Sequence, residues 1–271
     1  MAILEPFAIA IGFLLSYIFD YTASYGFSIV LLTIVINIII FPLTLRQTRS
    51  TKRMQDAQSD IKKLQKEYKD NKEELNKAMA AMYKEKGINP LGCILPLIVQ
   101  MPIWFALFRV LREPLLFIEN GSKLAENLSV QTNLLFFNMD LQIPPSDVAT
   151  WLERIPYLLL ILLVILTALY QQQQITKKTG KSDNPQAQQM QMIGKIMPIF
   201  FGFISWTLPT GLVVYFLTGN VFRIGQQALI VKLDDKENTK NENNKNEEKK
   251  KELDNPIKEN PRKNRKKRRR K

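Results

Sequence analysis

Thr33 and Asn37 stand four residues apart in an apolar run, so a helix would place them on one face. Gln100 lies between Pro96 and Pro102 in a second apolar run, and Tyr215, Thr218 and Asn220 follow along a last one. None of these is a nucleophile with a base beside it. The sequence has no His and a single Cys, Cys93, which rules out Ser-His-Asp triads, Cys-His dyads, His-ligated zinc and any intrachain disulfide. Cys93 therefore reads as an inert packing residue. Neither GxxxxGK[ST] nor GxGxxG occurs, so nothing points to nucleotide hydrolysis. What amides and hydroxyls can do in an apolar setting is hydrogen-bond, and at mid-membrane they must find a partner or water. In one reading they join helix to helix, at about 0.6–2 kcal/mol each. In the other they line a wet cavity. Pattern alone leans toward the first.

The elements that carry these residues are long apolar segments. A helix needs roughly 20 mostly apolar residues to cross a bilayer. Five segments qualify: 27–45, 91–111, 155–170, 193–208 and 210–231, with only Pro209 between the last two, which predicts a tight hairpin. A soluble helical protein is the alternative, but a globular helix keeps a polar face and these mostly have none. Arg109, Arg112, Lys195 and Arg223 sit toward span ends and are expected to snorkel. Residues 7–19 are apolar but too short to span. No Lys or Arg precedes them and no A-x-A site is clear, so a helix lying in the interface and ended by Asp20 is expected rather than a cleaved signal peptide.

Charge orients the spans. The net charge is +13, and the basic residues are unevenly placed. Residues 45–88 carry twelve Lys and Arg, and the loop near 171–192 carries Lys177, Lys178 and Lys181. Residues 113–153 carry only Lys123 against six acids. Lys and Arg concentrate on the cytoplasmic side. This puts 113–153 and the N-terminus outside, and the basic loops and the C-terminus inside.

Residues 45–88 read as a helical hairpin turning at Asp70-Asn71. Its first helix would run from about Leu45 to Lys69, about 37 Å at 1.5 Å per residue. Asn71 followed by Glu74 has capping-box spacing, and Gly87 before Pro90 fits a helix end. Ile61, Leu64 and Tyr68 can face Leu75, Ala78, Met79 and Met82. Such a hairpin either merely links two spans or is an arm that meets partners. The tail from Lys232 is rich in Lys, Glu and Asn and reads as disordered. Its end holds Arg262, Lys263, Arg265, Lys266, Lys267, Arg268, Arg269, Arg270 and Lys271, a run suited to RNA phosphates or anionic lipid headgroups. The bland reading of that run is a topology anchor.

The blocks FPLTLRQTRSTKRMQ (41–55), INPLGCILPLIVQMPIWFALFRVL (88–111), FFNMDLQIPP (136–145), IMPIFFGFISWTLPTGLVVYFLTGN (196–220) and IGQQ (224–227) resemble the YidC/Oxa/Alb membrane protein insertases, in a form without a large periplasmic domain. The resemblance covers about residues 5–231 in order. It implies a hydrophilic groove, open to cytoplasm and lipid and closed outside, that receives the polar part of a nascent chain without ATP of its own. By position, Thr33, Asn37, Gln100, Tyr215 and Phe216 should line or border that groove. Many family members carry Arg five residues before the Pro that ends the first span, whereas Asn37 stands there in this chain. A less positive groove is expected, with Arg46 and Arg49 at its mouth doing any steering. The tail resembles a ribosome-docking extension.

The expected fold class is all-α: a polytopic membrane protein with five transmembrane helices, a cytoplasmic helical hairpin and a disordered basic tail. Residues 1–26 form an interfacial amphipathic helix and linker, 27–45 the first span, and 46–90 the hairpin. Residues 91–231 hold spans two to five with an external loop at 113–153, and 232–271 the tail. The expected activity is insertion and chaperoning of nascent membrane proteins, with no cofactor and no enzymatic step. The partners are nascent chains, the ribosome through its RNA, membrane lipids and, as a candidate, the Sec translocon. A small-solute or lipid transporter using the same polar cavity is the alternative, although no inverted repeat is visible. With no transit peptide evident, a bacterial plasma membrane is the expected location.

Overall fold

The computed structural model describes residues 4–88, 95–130, 134–176 and 185–254. Cys93, Lys177, Lys178, Lys181 and the basic run 262–271 lie outside the described residues, as does the side chain of Lys195. The chain divides into two compact units between Gln227 and Ala228.

Helix α1 spans Glu5–Thr22, with Pro6 in its first turn, where a missing N–H costs nothing. It does not stop at Asp20. It stops at Ala23, which adopts φ +49° and donates its N–H to Phe19 O at 2.9 Å. Ala8, Ile11, Leu15 and Phe19 are buried where α1 packs on α2 and α5. The opposite face leaves Phe7, Ile9, Phe13, Tyr17 and Tyr21 exposed. A Cβ on Gly12 would stand 2.3 Å from Phe117 O, so only glycine allows this close approach.

Helix α2 covers Tyr25–Asp56 and runs straight through Pro42. This corrects the expected boundary near residue 45: the first span and the first part of the arm are one helix. An interior proline costs ~3 kcal/mol in water, but membrane helices tolerate it. The break comes at the buried Ala57, so the expected 37 Å helix to Lys69 is instead the end of α2 followed by α3, Gln58–Glu67. Helix α4, Lys72–Glu85, starts as its capping pattern predicts, with Asn71 Oδ1 accepting from Glu74 N at 3.2 Å. It ends before Gly87 at φ +60°. The two apolar stripes are half-buried, with Met82 the most enclosed.

Helix α5 spans Leu95–Arg112. Beyond it, residues 113–150 fold over one end of the bundle. They include α6 (Lys123–Val130) and a hairpin of β1 (Leu135–Phe136) and β2 (Met139–Asp140). Its two turn residues, Phe137 and Asn138, both have positive φ, as a type I′ turn requires. Phe136 lies over Gly26, where any Cβ would meet its ring at 2.2 Å, and stacks edge-on with Phe27.

Helices α7 (Trp151–Thr176) and α8 (Pro185–Ser205) pack closely through small residues, with Gly202 against Ile165 and Gly194 against Gln172. Residues 206–209 turn the chain into α9, Thr210–Asp254. Thr210 donates both its N–H (3.0 Å) and Oγ1–H (2.7 Å) to Ile143 O, and Gly211 N donates to Leu141 O at 2.8 Å. Tyr157 Oη accepts from Asp140 N at 2.7 Å. These bonds tie the 113–150 segment to the starts of α7 and α9 and make a capped end.

The continuous apolar core lies at that capped end. Among the described residues its fully buried members reach Ile36 on α2, Ala106 on α5, Val164 on α7 and Tyr215 on α9, with Ile40, Ile103, Ile165 and Leu217 packed against it half-buried. Outward-facing surfaces are apolar as well. Stretches Tyr25–Met54 and Trp151–Gln174 are long and apolar enough to cross a membrane, yet only 28% and 22% of their most apolar windows are buried. Ile38, Ile39, Leu159 and Leu163 are among the exposed residues, as expected where lipid rather than water is the neighbour. The fold is all-α apart from the small hairpin, and the protein is membrane-inserted.

In the second unit the backbone stays helical to Asp254, which corrects the expectation of disorder from residue 232. Lys and Glu are good helix formers, and Pro256 stands just beyond the end of the helix.

One ion pair clasps the α3–α4 hairpin. Lys86, just past α4, pairs with Asp60 in the first turn of α3, and Lys63 adds a contact at 3.5 Å. The Lys86 ammonium, by hydrogen bond and charge, holds the Asp60 carboxyl below the usual carboxylate range. A depressed acid contributes its stabilisation above the ordinary Asp value near pH ~4 and loses it as pH falls through the lower folded value. The clasp should therefore be constant from neutrality to about pH 4 and open below it. Asp60→Asn should speed amide exchange in α3 and α4 at neutral pH, and the difference from the parent chain should vanish on acidification.

Candidate functional site

Past the core, the helix faces change character. On α9, Gly211, Tyr215, Gly219 and Arg223 recur every four residues and so form one face. On α2, Thr33 and Asn37 do the same. The two faces meet: the Thr33 methyl lies 4.0 Å from where a Gly219 Cβ would be, and Ile29 approaches Gly211.

The polar side chains on these faces use their hydrogen bonds differently. Gln100 Nε2 donates to the Tyr215 hydroxyl oxygen at 2.8 Å, joining α5 to α9. Tyr215 is buried, and the accepted bond leaves its own O–H free to donate. Asn220 Nδ2 reaches Thr167 Oγ1 (3.3 Å) and Val164 O (3.4 Å) on α7. For Gln100 and Asn220 the helix-to-helix reading is right. Asn37 is different. Its Nδ2 donates to Thr33 O at 2.8 Å in its own helix, and Thr33 Oγ1 donates to Ile29 O at 2.6 Å. Among the described residues no other helix bonds to Asn37, so its amide uses one of its four hydrogen-bonding sites.

Gln47 and Gln226 were not singled out by sequence. Both are buried beyond the apolar core, and neither Nε2 has a partner among the described residues. A buried donor left unbonded costs about 1–3 kcal/mol, so these two Nε2 atoms are costly polar positions of this region among the described residues. In the sequence they look like ordinary flanking glutamines, since burial so close to a basic arm leaves no local signal.

Phe216 neighbours Tyr215, and its ring stands edge-on to Phe201 of α8 at 5.7 Å. One residue along a helix turns the side chain by about 100°, which carries it off the polar face. Arg223 does not snorkel toward the end of its span. Its guanidinium folds back along α9, and Nη2 lies 3.1 Å from the position a Gly219 Cβ would take. Helical side chains point toward the N-terminus of their helix, and here that direction leads inward. Arg109 and Arg112, at the capped end, lie over the rings of Phe117 and Phe108 at 5.0 and 5.7 Å. Arg46 is exposed and Arg49 half-buried on the stretch of α2 beyond Pro42.

The Gln100–Tyr215 bond is the measurable link across this site. Interhelical hydrogen bonds in membranes average about 0.6 kcal/mol and reach ~1.7. Tyr215→Phe should lower stability by that amount in a denaturant titration of detergent-solubilised protein. Gln100→Leu should cost no more once Tyr215 is already Phe, because the two changes remove one bond.

A family model described as "60Kd inner membrane protein" matches residues 17–238. A curated relative named membrane protein insertase YidC, from Fusobacterium nucleatum, is 34% identical over 225 residues, covering 82% of this chain and 93% of that protein. A relative of the same name from Chlorobium limicola is 33% identical over 210 residues, covering 78% of this chain. This chain spans about a third (33%) of the length of that Chlorobium protein. A crystal structure described as active YidC insertase with its first transmembrane domain resolved shares the fold, with TM-score 0.53 and 23% identity over 77% of this chain and 42% of that one. With the family model covering most of its length, this chain belongs to the 60Kd inner membrane protein family, that of the YidC/Oxa/Alb proteins.

Proposed function

We propose that this protein is a membrane protein insertase that moves nascent membrane proteins from the cytoplasm into a bacterial plasma membrane. In this reading α2, α5, α7, α8 and α9 are five spans, α1 lies in the outer interface, and the basic α3–α4 arm faces the cytoplasm. The observation that carries the proposal is the one-sided packing. Among the described residues the continuous buried apolar core lies at the capped end, while toward the other end the buried Nε2 atoms of Gln47 and Gln226 have no described partner. Such a half-packed bundle is a polar recess closed on one side. The polar segment of an incoming chain enters it and crosses a shorter low-dielectric distance. The apolar segment slides past into lipid, and its burial, at about 25 cal/mol per Å², drives the transfer. The work is partitioning, not bond chemistry.

Thr33, Asn37, Gln100 and Tyr215 line the recess in this reading, and Phe216 borders it from the α8 side. Arg46 and Arg49 stand at its mouth. The basic tail engages ribosomal RNA, where each neutralised phosphate adds salt dependence.

Photocrosslinkers at positions 33, 37 and 215 should capture a stalled nascent chain, and solute uptake without such crosslinks would favour a transporter instead. Asn37→Leu should slow insertion of a substrate with a charged translocated tail by about fivefold, the equivalent of ~1 kcal/mol of lost polar contact, in proteoliposomes. Asn37→Arg should be tolerated. Removing residues 232–271 should weaken ribosome co-sedimentation and flatten its dependence on salt. Unchanged sedimentation would leave the tail as an anchor only.

A further inference from the structure

The tip of the β1–β2 hairpin combines two costs at one residue. Phe137 sits at φ +50°, a conformation that a bulky L-residue adopts only under strain. Its ring is also 75% exposed, and Leu135 on β1 is exposed beside it. A tight turn that only joined two short strands in water would carry Asn or Gly at this position, as Asn138 does at φ +63° next to it. The backbone therefore holds a phenyl ring outward at its own expense. No charged residue stands between Glu126 and Asp140.

Two further observations say what the ring meets. The tip continues a surface that already faces lipid. Phe27, Leu31 and Ile38 are exposed on α2 and fall on one stripe at helical spacing. The Phe27 ring stands edge-on to Phe136 at 5.3 Å, and Phe136 edge-on to Phe137 at 4.6 Å. The apolar stripe of the span thus passes from ring to ring onto the hairpin. The hairpin also docks beside the first turns of a span rather than above them. Asp140 N on β2 donates to Tyr157 Oη, and Tyr157 follows the exposed Trp151, which opens α7, by about 9 Å of helix. Tryptophan is the residue of the membrane–water boundary. We propose that the β1–β2 tip is a membrane anchor, with Phe137 and Leu135 immersed among the acyl chains of the leaflet at the capped end. Burial of the ring in lipid offsets the strain of the turn and holds the cap at a fixed level in the bilayer. The proposal rests on α2 being a span and not on what the protein inserts.

The test uses the full chain carrying Cys93→Ser, reconstituted in phosphatidylcholine vesicles, with a nitroxide on one introduced cysteine at a time: Phe137→Cys, Leu135→Cys, Leu31→Cys on the lipid face of α2, or Glu119→Cys on an exposed polar turn. The readout is how often the nitroxide collides with oxygen, which concentrates in lipid, relative to a water-soluble nickel chelate. Labels at 137 and 135 should give a high oxygen-to-nickel ratio like that at 31, against a low one at 119. Phe137→Gly keeps the turn and removes the ring, so it should shift the label at 135 toward water. A low ratio at both 137 and 135, with 31 in lipid, would overturn the proposal. So would labels at 137 and 135 that neither reagent reaches, which is the signature of cover by a second protein chain, and so would a label at 135 that Phe137→Gly leaves unmoved. Nickel access at 31 would instead remove the reading of α2 as a span.

Discussion

The hydrogen bonds from Thr210 and Gly211 to Ile143 O and Leu141 O set the rest of the structure. The first N–H groups of a helix have no partner within it, and in a membrane protein they cannot be left bare. Here the 113–150 segment supplies the acceptors, and in doing so it is drawn across the end of the bundle. Tyr157 and Phe136 bring α7 and α2 to the same segment. One end of the molecule is therefore covered, and apolar packing collects there.

The other half is organised by what that packing leaves out. Among the described residues the fully buried apolar cluster stops at Ile36 and Tyr215, with Ile40 and Leu217 packed against it half-buried, and polar groups follow beyond. Gln100 and Asn220 bridge helices and hold the spacing. Asn37, Gln47 and Gln226 retain capacity that no described side chain uses. The close approach of α7 and α8 through Gly202 and Gly194 makes a compact pair beside this region. A covered, apolar end and, beyond it, the unpartnered amides of Gln47 and Gln226 are the physical basis of the proposed recess.

The first span and the basic stretch that follows it are one helix, because α2 continues through Pro42 to Asp56. The helix breaks at the buried Ala57, before α3. The α3–α4 pair beyond it holds itself together by two narrow apolar stripes and the Asp60–Lys86 clasp.

Much of this was legible in the residues. Long apolar runs, the Asn71–Glu74 cap and the uneven placement of Lys and Arg report local free energies of transfer, capping and charge, which depend on neighbours in the chain. The run of motifs also pointed to the family. Other features were out of reach of sequence. The helical path through Pro42, the turn of Phe216 toward α8 and the burial of Gln47 and Gln226 depend on which surfaces face each other. Arg223 is the sharpest case. A basic residue near a span end reads as snorkelling, because the chain alone does not reveal that Gly219 opens a space behind it and that Thr33 of another helix closes that space. Composition determined that the chain enters a membrane and carries polar groups there. Only the tertiary arrangement decided which of those groups satisfy one another and which have no described partner, because hydrogen-bond satisfaction is a property of meeting surfaces and not of position in the chain.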